Sequence, residues 1–236
     1  MEEILNKISL KRANWIFLID ASKSMTGKKI EQVKKYMLEI TEKLAKKSHD
    51  DMIDIMVRVI KYDSSPTWIV GDIENGVNIN DLSYDWENLT TGGMGNTALA
   101  IEECMKSLNT KYLGLRSQKP VVVLLSDINT SDKDALSESI EKLKKTFNVQ
   151  GNKEKVIRVA IDLDITNRDA LESFASEGYF CDENIKLIFG TEDFSFFNNL
   201  FPPRDLIIPP YPLVDENDSE PQVIIADNND SSDWDW

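Results

Sequence analysis

Apolar residues recur along this chain with two periods, and the two alternate. Trp15–Ile19 is an unbroken apolar run ending in Asp20, and Val121–Leu125 is a second, ending in Ser126 and Asp127. Such runs predict strands buried on both faces, because a strand covered on both sides loses its polar alternation. Ile30, Val33, Met37, Ile40 and Leu44 follow spacings of 3, 4, 3 and 4, which predicts a helix from Met25 to Lys47. Lysines crowd its last turns, as the helix dipole favours. Ile53, Ile55, Val57 and Val59 alternate, predicting a strand over Met52–Tyr62 with Thr67–Val70 as its hairpin partner. Helices are predicted over Thr97–Leu108, around Leu136, Ile140, Leu143 and Phe147, over Asn167–Ser176 and over Glu192–Phe201. Strands are predicted over Lys155–Ile161 and Ile185–Phe189.

Strands alternating with helices predict an α/β fold: one doubly wound, mostly parallel sheet with an antiparallel edge strand and helices on both faces. Ligands of such sheets bind at the carboxyl ends of the strands, where Asp20 and Asp127 fall. The pattern ends near residue 201. Residues 1–201 read as one domain, and 202–236 as a proline-containing linker with an acidic tail. Five of the eight prolines lie in FPPRDLIIPPYP, and from Pro212 onward there are eight acids and no base. That composition suits a disordered tail. Within it, Gln222–Ala226 is β-prone, and Trp234 and Trp236 share one side of an extended strand. This suits a docking motif that adds a strand to a sheet edge.

Composition narrows the function. The net charge of −14 argues against nucleic acid as a partner, since phosphate neutralisation needs a basic excess. No apolar run approaches the ~20 residues of a spanning helix, and no secretory signal is visible in MEEILNKISLKR. Two cysteines, Cys104 and Cys181, form no framework, so a cytoplasmic location is expected, with no membrane partner.

Three segments carry candidate chemistry. Asp20, Ser22 and Ser24 stand at i, i+2 and i+4 after the first buried strand. Thr97 follows the glycine-rich loop GGMGN, and Asp127 follows the second buried strand. Taken singly, each has a plainer reading: Asp, Ser and Thr are preferred helix caps. Taken together at one sheet edge, they form an oxygen-only set with two carboxylates, which suits a hard cation such as Mg²⁺ or Mn²⁺. His49 reads as a solvated loop residue and Cys104 as core. The lysine-rich first helix reads as a solvated face or a dock for an acidic partner. GGMGN lacks the Gly-Lys-Ser/Thr of a Walker loop.

Asp-x-Ser-x-Ser after a hydrophobic strand, a Thr in a glycine-rich loop and an Asp after a second hydrophobic strand resemble the metal-ion-dependent adhesion site of von Willebrand factor A domains. The resemblance covers roughly residues 14–201. The phrase NWIFLIDASKSMTGKKIEQVK is most similar to bacterial intracellular members linked to tellurium resistance and stress, which accompany kinases and phosphatases. The resemblance implies that Asp20, Ser22, Ser24, Thr97 and Asp127 are the metal-site residues. It also implies that no reaction is catalysed, and that the ion is presented to an Asp or Glu of a protein partner. Two positions depart from the family: Ile128-Asn129 follows Asp127 where glycine is frequent, and Met94 and Asn96 interrupt the glycines before Thr97. The competing readings are a Mg²⁺-dependent phosphatase of haloacid dehalogenase type and a metal-independent scaffold. The phosphatase needs a second Asp where this chain has Ser22, and a hydroxyl is no general acid near neutral pH.

Overall fold

The computed structural model of the chain describes residues 11–114, 117–128, 133–145, 156–163, 168–180 and 183–200. The strands are β1 (Arg12–Asp20), β2 (Asp54–Tyr62), β3 (Pro66–Val70), β4 (Val77–Asn78), β5 (Val121–Ser126), β6 (Ile157–Asp162), β7 (Glu177–Phe180), β8 (Glu183–Lys186) and β9 (Ile188–Gly190). The helices are α1 (Lys28–Asp51), α2 (Thr97–Ser107), α3 (Thr110–Leu113), α4 (Lys133–Lys145) and α5 (Arg168–Phe174). The main sheet runs β3-β2-β1-β5-β6-β9, and β4 also pairs with β2. Strands β2, β1, β5, β6 and β9 are parallel, while β3 and β4 run antiparallel along the outer edge of β2.

The two five-residue apolar runs become the central pair β1 and β5, in register from Trp15↔Val121 to Ile19↔Leu125. Because successive side chains of a strand point to opposite faces, each run feeds two cores. Trp15, Phe17 and Ile19 pack with Ile30, Val33, Met37, Ile40 and Leu44 of α1. Ile16 and Leu18 pack with Ile101 and Cys104 of α2, Leu136 and Ile140 of α4, and Leu171 of α5. Helices therefore cover both faces, as the alternation predicts, and the ends of β1 and β5 lie side by side.

Three local expectations are corrected. The first helix starts at Lys28, after a 3-10 turn over Lys23–Met25, and runs on to Asp51, so exposed His49 sits in its last turn. The expected strand Ile185–Phe189 is divided at Leu187, between β8, which pairs antiparallel with β7, and β9, which joins the main sheet. Leu187 makes the crossing: its N–H donates to the Ser176 carbonyl, and its own carbonyl accepts from the Ala160 N–H. The expected helix Glu192–Phe201 reduces to a 3-10 turn over Phe197–Leu200. Three aromatic anchors override the helical spacing there. Phe194 stacks on Tyr36, Phe196 meets Phe189, and Phe197 meets Trp15. Finally, β4, α3, β7 and the short turns around Ile79–Asp81 and Trp86–Asn88 had no periodic signal long enough to reveal them. Phe147, Lys155, Asn167, Cys181 and the whole segment from 201 onward lie outside the described residues.

Candidate metal centre

Asp20 is the last residue of β1, 1% exposed, and faces the end of β5. Its Oδ1 accepts from the Ser22 N–H at 2.9 Å, and its Oδ2 accepts from the Ser126 hydroxyl at 2.7 Å. Ser22 and Ser24 hydroxyls are 3.1 Å apart, and Ser24 donates to Asp127 Oδ1 at 3.2 Å. Thr97, fully buried, joins the group through Tyr62, whose hydroxyl lies 3.3 Å from its Oγ1. Four of the five residues singled out in the sequence are thus linked by hydrogen bonds past the ends of β1 and β5, and Thr97, at the start of α2, stands beside Tyr62, the strand-register partner of Asp20.

Helix capping does not explain Ser22, Ser24 or Thr97. The N-cap of α1 is Gly27, and no side chain caps that end. Ser22 stands at the N-cap of the 3-10 turn without a side-chain capping bond. Asn96 caps α2 by accepting from the Leu99 N–H at 3.2 Å, which frees the Thr97 hydroxyl to point inward. Asn96 therefore has a local task in the loop where it interrupts the glycines.

Backbone geometry sets the two approach loops. Gly92 N–H donates to the Ala21 carbonyl, and the Gly93 carbonyl accepts from Lys23 N–H. The glycine-rich loop is thereby laced to the Asp20 loop. Gly93 has φ +64, and a Cβ there would stand 2.6 Å from Ser64 Oγ, whereas Gly92 is open. Ile128, the departure after Asp127, has φ +43. It adopts the left-handed backbone that glycine takes easily and a β-branched residue rarely does. Its side chain is buried with Leu136 and Ile140, and its N–H is turned onto Ser126 Oγ at 2.8 Å. Core packing thus sustains a strained residue beside the site.

Two contributors escaped the sequence reading. Lys29, counted there among the helix lysines, bonds Asp127 Oδ2 at 2.7 Å. Other lysines of α1 also have acidic neighbours: Lys34 with Glu31 and Glu87, Lys35 with Glu192, and Lys47 with Asp51. Tyr62, the last residue of β2 and paired with Asp20 in register, is fully buried. Its carbonyl accepts from the Ala21 N–H at 2.7 Å, and its hydroxyl accepts from the Thr97 hydroxyl at 3.3 Å. Burial first, and the charge of Asp20 next, hold the phenol well above its ordinary range, so it keeps its proton.

Electrostatically the site is short of positive charge around Asp20. Burial raises its carboxyl above the ordinary 3.8 and Asp127 pushes the same way; bonds from Ser126 and Ser22 oppose this. Asp20 makes no ion pair among the described residues, since Lys29 serves Asp127. Nor do three His, Cys, Asp or Glu side chains gather anywhere among them, so the site offers a metal two carboxylates and neighbouring hydroxyls. The donor set fits a hard divalent ion: oxygen only, two carboxylates, and one of those buried without a cation. A shallow cleft of about 590 Å³ lies further along the same edge beside Asp162, Arg168, Gly190 and Glu192; none of the five residues lines it.

The von Willebrand factor type A domain family matches residues 14–201. No curated protein matches the chain in sequence. Among solved structures, proximal thread matrix protein 1 of the mussel byssus is similar at TM-score 0.51 and 17% identity, covering 81% of this chain and 44% of that one. The same mussel protein with a zinc-occupied MIDAS motif gives TM-score 0.54 at 17% identity, with 81% and 45% covered. The chain thus spans less than half the length of the mussel protein, and the likeness is one of fold.

Proposed function

The chain belongs to the von Willebrand factor type A family, and from that premise we propose a non-catalytic interaction module that holds one divalent cation through Asp20, Ser22, Ser24, Thr97 and Asp127. The observation that carries this reading is the buried Asp20 carboxylate, lacking an ion-pair partner among the described residues and set amid convergent hydroxyls. When bound, the ion supplies a Lewis-acidic position for a carboxylate from outside the chain. Lys29 adds a further positive charge beside Asp127, so the loaded site favours an anionic visitor. A protein partner supplying Asp or Glu satisfies that chemistry.

The ion is proposed to be Mg²⁺ or Mn²⁺, the hard cations that oxygen donors prefer; zinc, which occupies the motif of the mussel protein, is the third to test. The phrase NWIFLIDASKSMTGKKIEQVK supports a place among bacterial intracellular members tied to stress and tellurium resistance, with a kinase or phosphatase as partner in the cytoplasm. Among the described residues no helix is long and apolar enough to cross a membrane. The position two residues after Asp20, where a haloacid-dehalogenase-type phosphatase needs its general acid, is Ser22, whose hydroxyl lies against Ser24.

Calorimetry with Mg²⁺, Mn²⁺ and Zn²⁺, followed by capture of partners from native bacterial lysate with and without EDTA, tests the reading. One site per chain is expected, abolished by Asp20→Ala, with capture lost in EDTA and on Thr97→Ala. No binding at millimolar ion overturns the metal site. Equal capture in EDTA overturns metal-dependent recognition in favour of a scaffold. Turnover of p-nitrophenyl phosphate with Mg²⁺ would reinstate the phosphatase.

A further inference from the structure

Lys29 stands where helix electrostatics would not put it. It is the second residue of α1, and a cation in the first turn faces the positive end of the helix dipole. Its ammonium nevertheless donates to Asp127 Oδ2 at 2.7 Å, with the Lys29 side chain 25% exposed and that of Asp127 2%. Asp127 Oδ1 accepts from Ser24 at 3.2 Å, and Ser24 leads through Ser22 to Asp20. One ammonium and two carboxylates therefore share a hydrogen-bonded cluster in which both carboxylates are buried. Near neutral pH each carboxylate carries −1 and the ammonium +1, so the three groups sum to −1. A divalent cation reverses that to +1. Without Lys29 the same two carboxylates would just neutralise the ion. Lys29 thus decides whether the loaded cluster is neutral or positive, and a net charge is costly where water is scarce. An outside carboxylate brings the sum back to zero.

We propose that Lys29 couples the two binding events of the site: the cation and a visiting carboxylate bind cooperatively, and occupancy by the ion alone is disfavoured. This inference rests on the metal-binding reading given above and adds a regulation to it, since the site fills completely only when an anionic partner is at hand. Such coupling is reciprocal, so a carboxylate that tightens the ion is itself tightened by the ion to the same degree. The quarter of the Lys29 side chain left open to solvent keeps its charge accessible from outside the chain.

The test uses Mn²⁺ and acetate as probes on the full chain. Calorimetric Mn²⁺ affinity is measured in acetate and in chloride of equal ionic strength, so that screening is matched, for the wild type, Lys29→Met and Lys29→Arg. The wild type is expected to bind Mn²⁺ about threefold or more tighter in acetate than in chloride. Lys29→Met should bind it about threefold or more tighter than the wild type in chloride, with little further gain from acetate. Lys29→Arg, which keeps the charge, should behave as the wild type. A lysine that only held Asp127 in place would give the reverse in Lys29→Met, weaker Mn²⁺ binding with an unchanged acetate gain, and that result overturns the coupling. Equal wild-type affinity in the two buffers overturns it as well, and this arm needs no variant to fold. Mn²⁺ bound with none of these differences leaves the metal site standing and removes the coupling alone. No Mn²⁺ bound by the wild type or Lys29→Met in either buffer overturns the metal reading, and the coupling with it.

Discussion

Asp20 keeps its charge only against the burial around it. Its raised carboxyl means that the ionised form opposes folding when no cation is present: the stabilising, protonated form holds at low pH and is lost as pH rises through the folded value. Asp20→Asn keeps the shape and removes the charge. At neutral pH its ion-free melting temperature is expected to equal or exceed that of the wild type, while the rise produced by Mg²⁺ or Mn²⁺ disappears; thermal melts with and without EDTA check both. Lys29 has the opposite balance. Lys29→Met is expected to lower ion-free stability and to raise divalent affinity about threefold or more, since a like charge a few ångströms from the ion is removed; calorimetry reads the change. Cys104, fully buried on α2, has its thiol pushed up to about 12 from 9.0 by burial. The sign follows: its contribution to stability is complete below about pH 9 and fades as pH climbs toward 12. In a Cys181→Ser background, thiol reagent at pH 8 should label the protein only on unfolding. Sequence alone exposed Asp20, Ser22, Ser24 and Asp127 because polar residues just past apolar strands stand out, and Thr97 because it follows a glycine-rich loop. Tyr62 was hidden because an aromatic residue closing an apolar strand reads as core. Lys29 was hidden because a lysine on an amphipathic helix reads as solvated.

At the scale of elements, the glycine-rich loop couples two parts of the site. Gly93→Ala places a side chain against Ser64 in a backbone conformation that disfavours it, at a cost of about 1–3 kcal/mol. It also shifts Thr97, so denaturant unfolding and metal affinity should worsen together. Gly92→Ala, with open space around it, is expected to change stability by less than about 0.5 kcal/mol. Sequence marked the loop as glycine-rich but could not say which glycine mattered, because that depends on Ser64, on a different loop. The helices and strands that were legible are the long periodic ones. The illegible parts were governed by tertiary contacts: the division of one strand between two sheets at Leu187, and the aromatic anchors at Phe194, Phe196 and Phe197 that replace a helix. Ile128 was the least readable residue of all, since a β-branched side chain argues against the positive φ it adopts.

For the whole molecule, the acidic stretch after Tyr211 is proposed to dock onto protein, through its β-prone Gln222–Ala226 run and paired tryptophans. Truncation after Tyr211 should leave melting and ion affinity unchanged but weaken partner capture or self-association. Equal capture and an equal elution volume would show the tail to be a solvated extension. The strand order β3-β2-β1-β5-β6-β9 has a consequence of a different kind, in time. Asp20 and the Ser126 that holds it are 106 positions apart, and β1 cannot close its inner edge until β5 exists. On a ribosome adding about 5–20 residues per second, that interval lasts roughly 5–20 s. From the emergence of β2, the nascent chain can pair β1 on one side only, leaving a row of backbone donors and acceptors open on the other. The segment made in the interval includes α2, whose apolar face packs on β1 and β2. A chaperone or a pause in translation acting on this protein would therefore find its target between the emergence of residue 20 and that of residue 126.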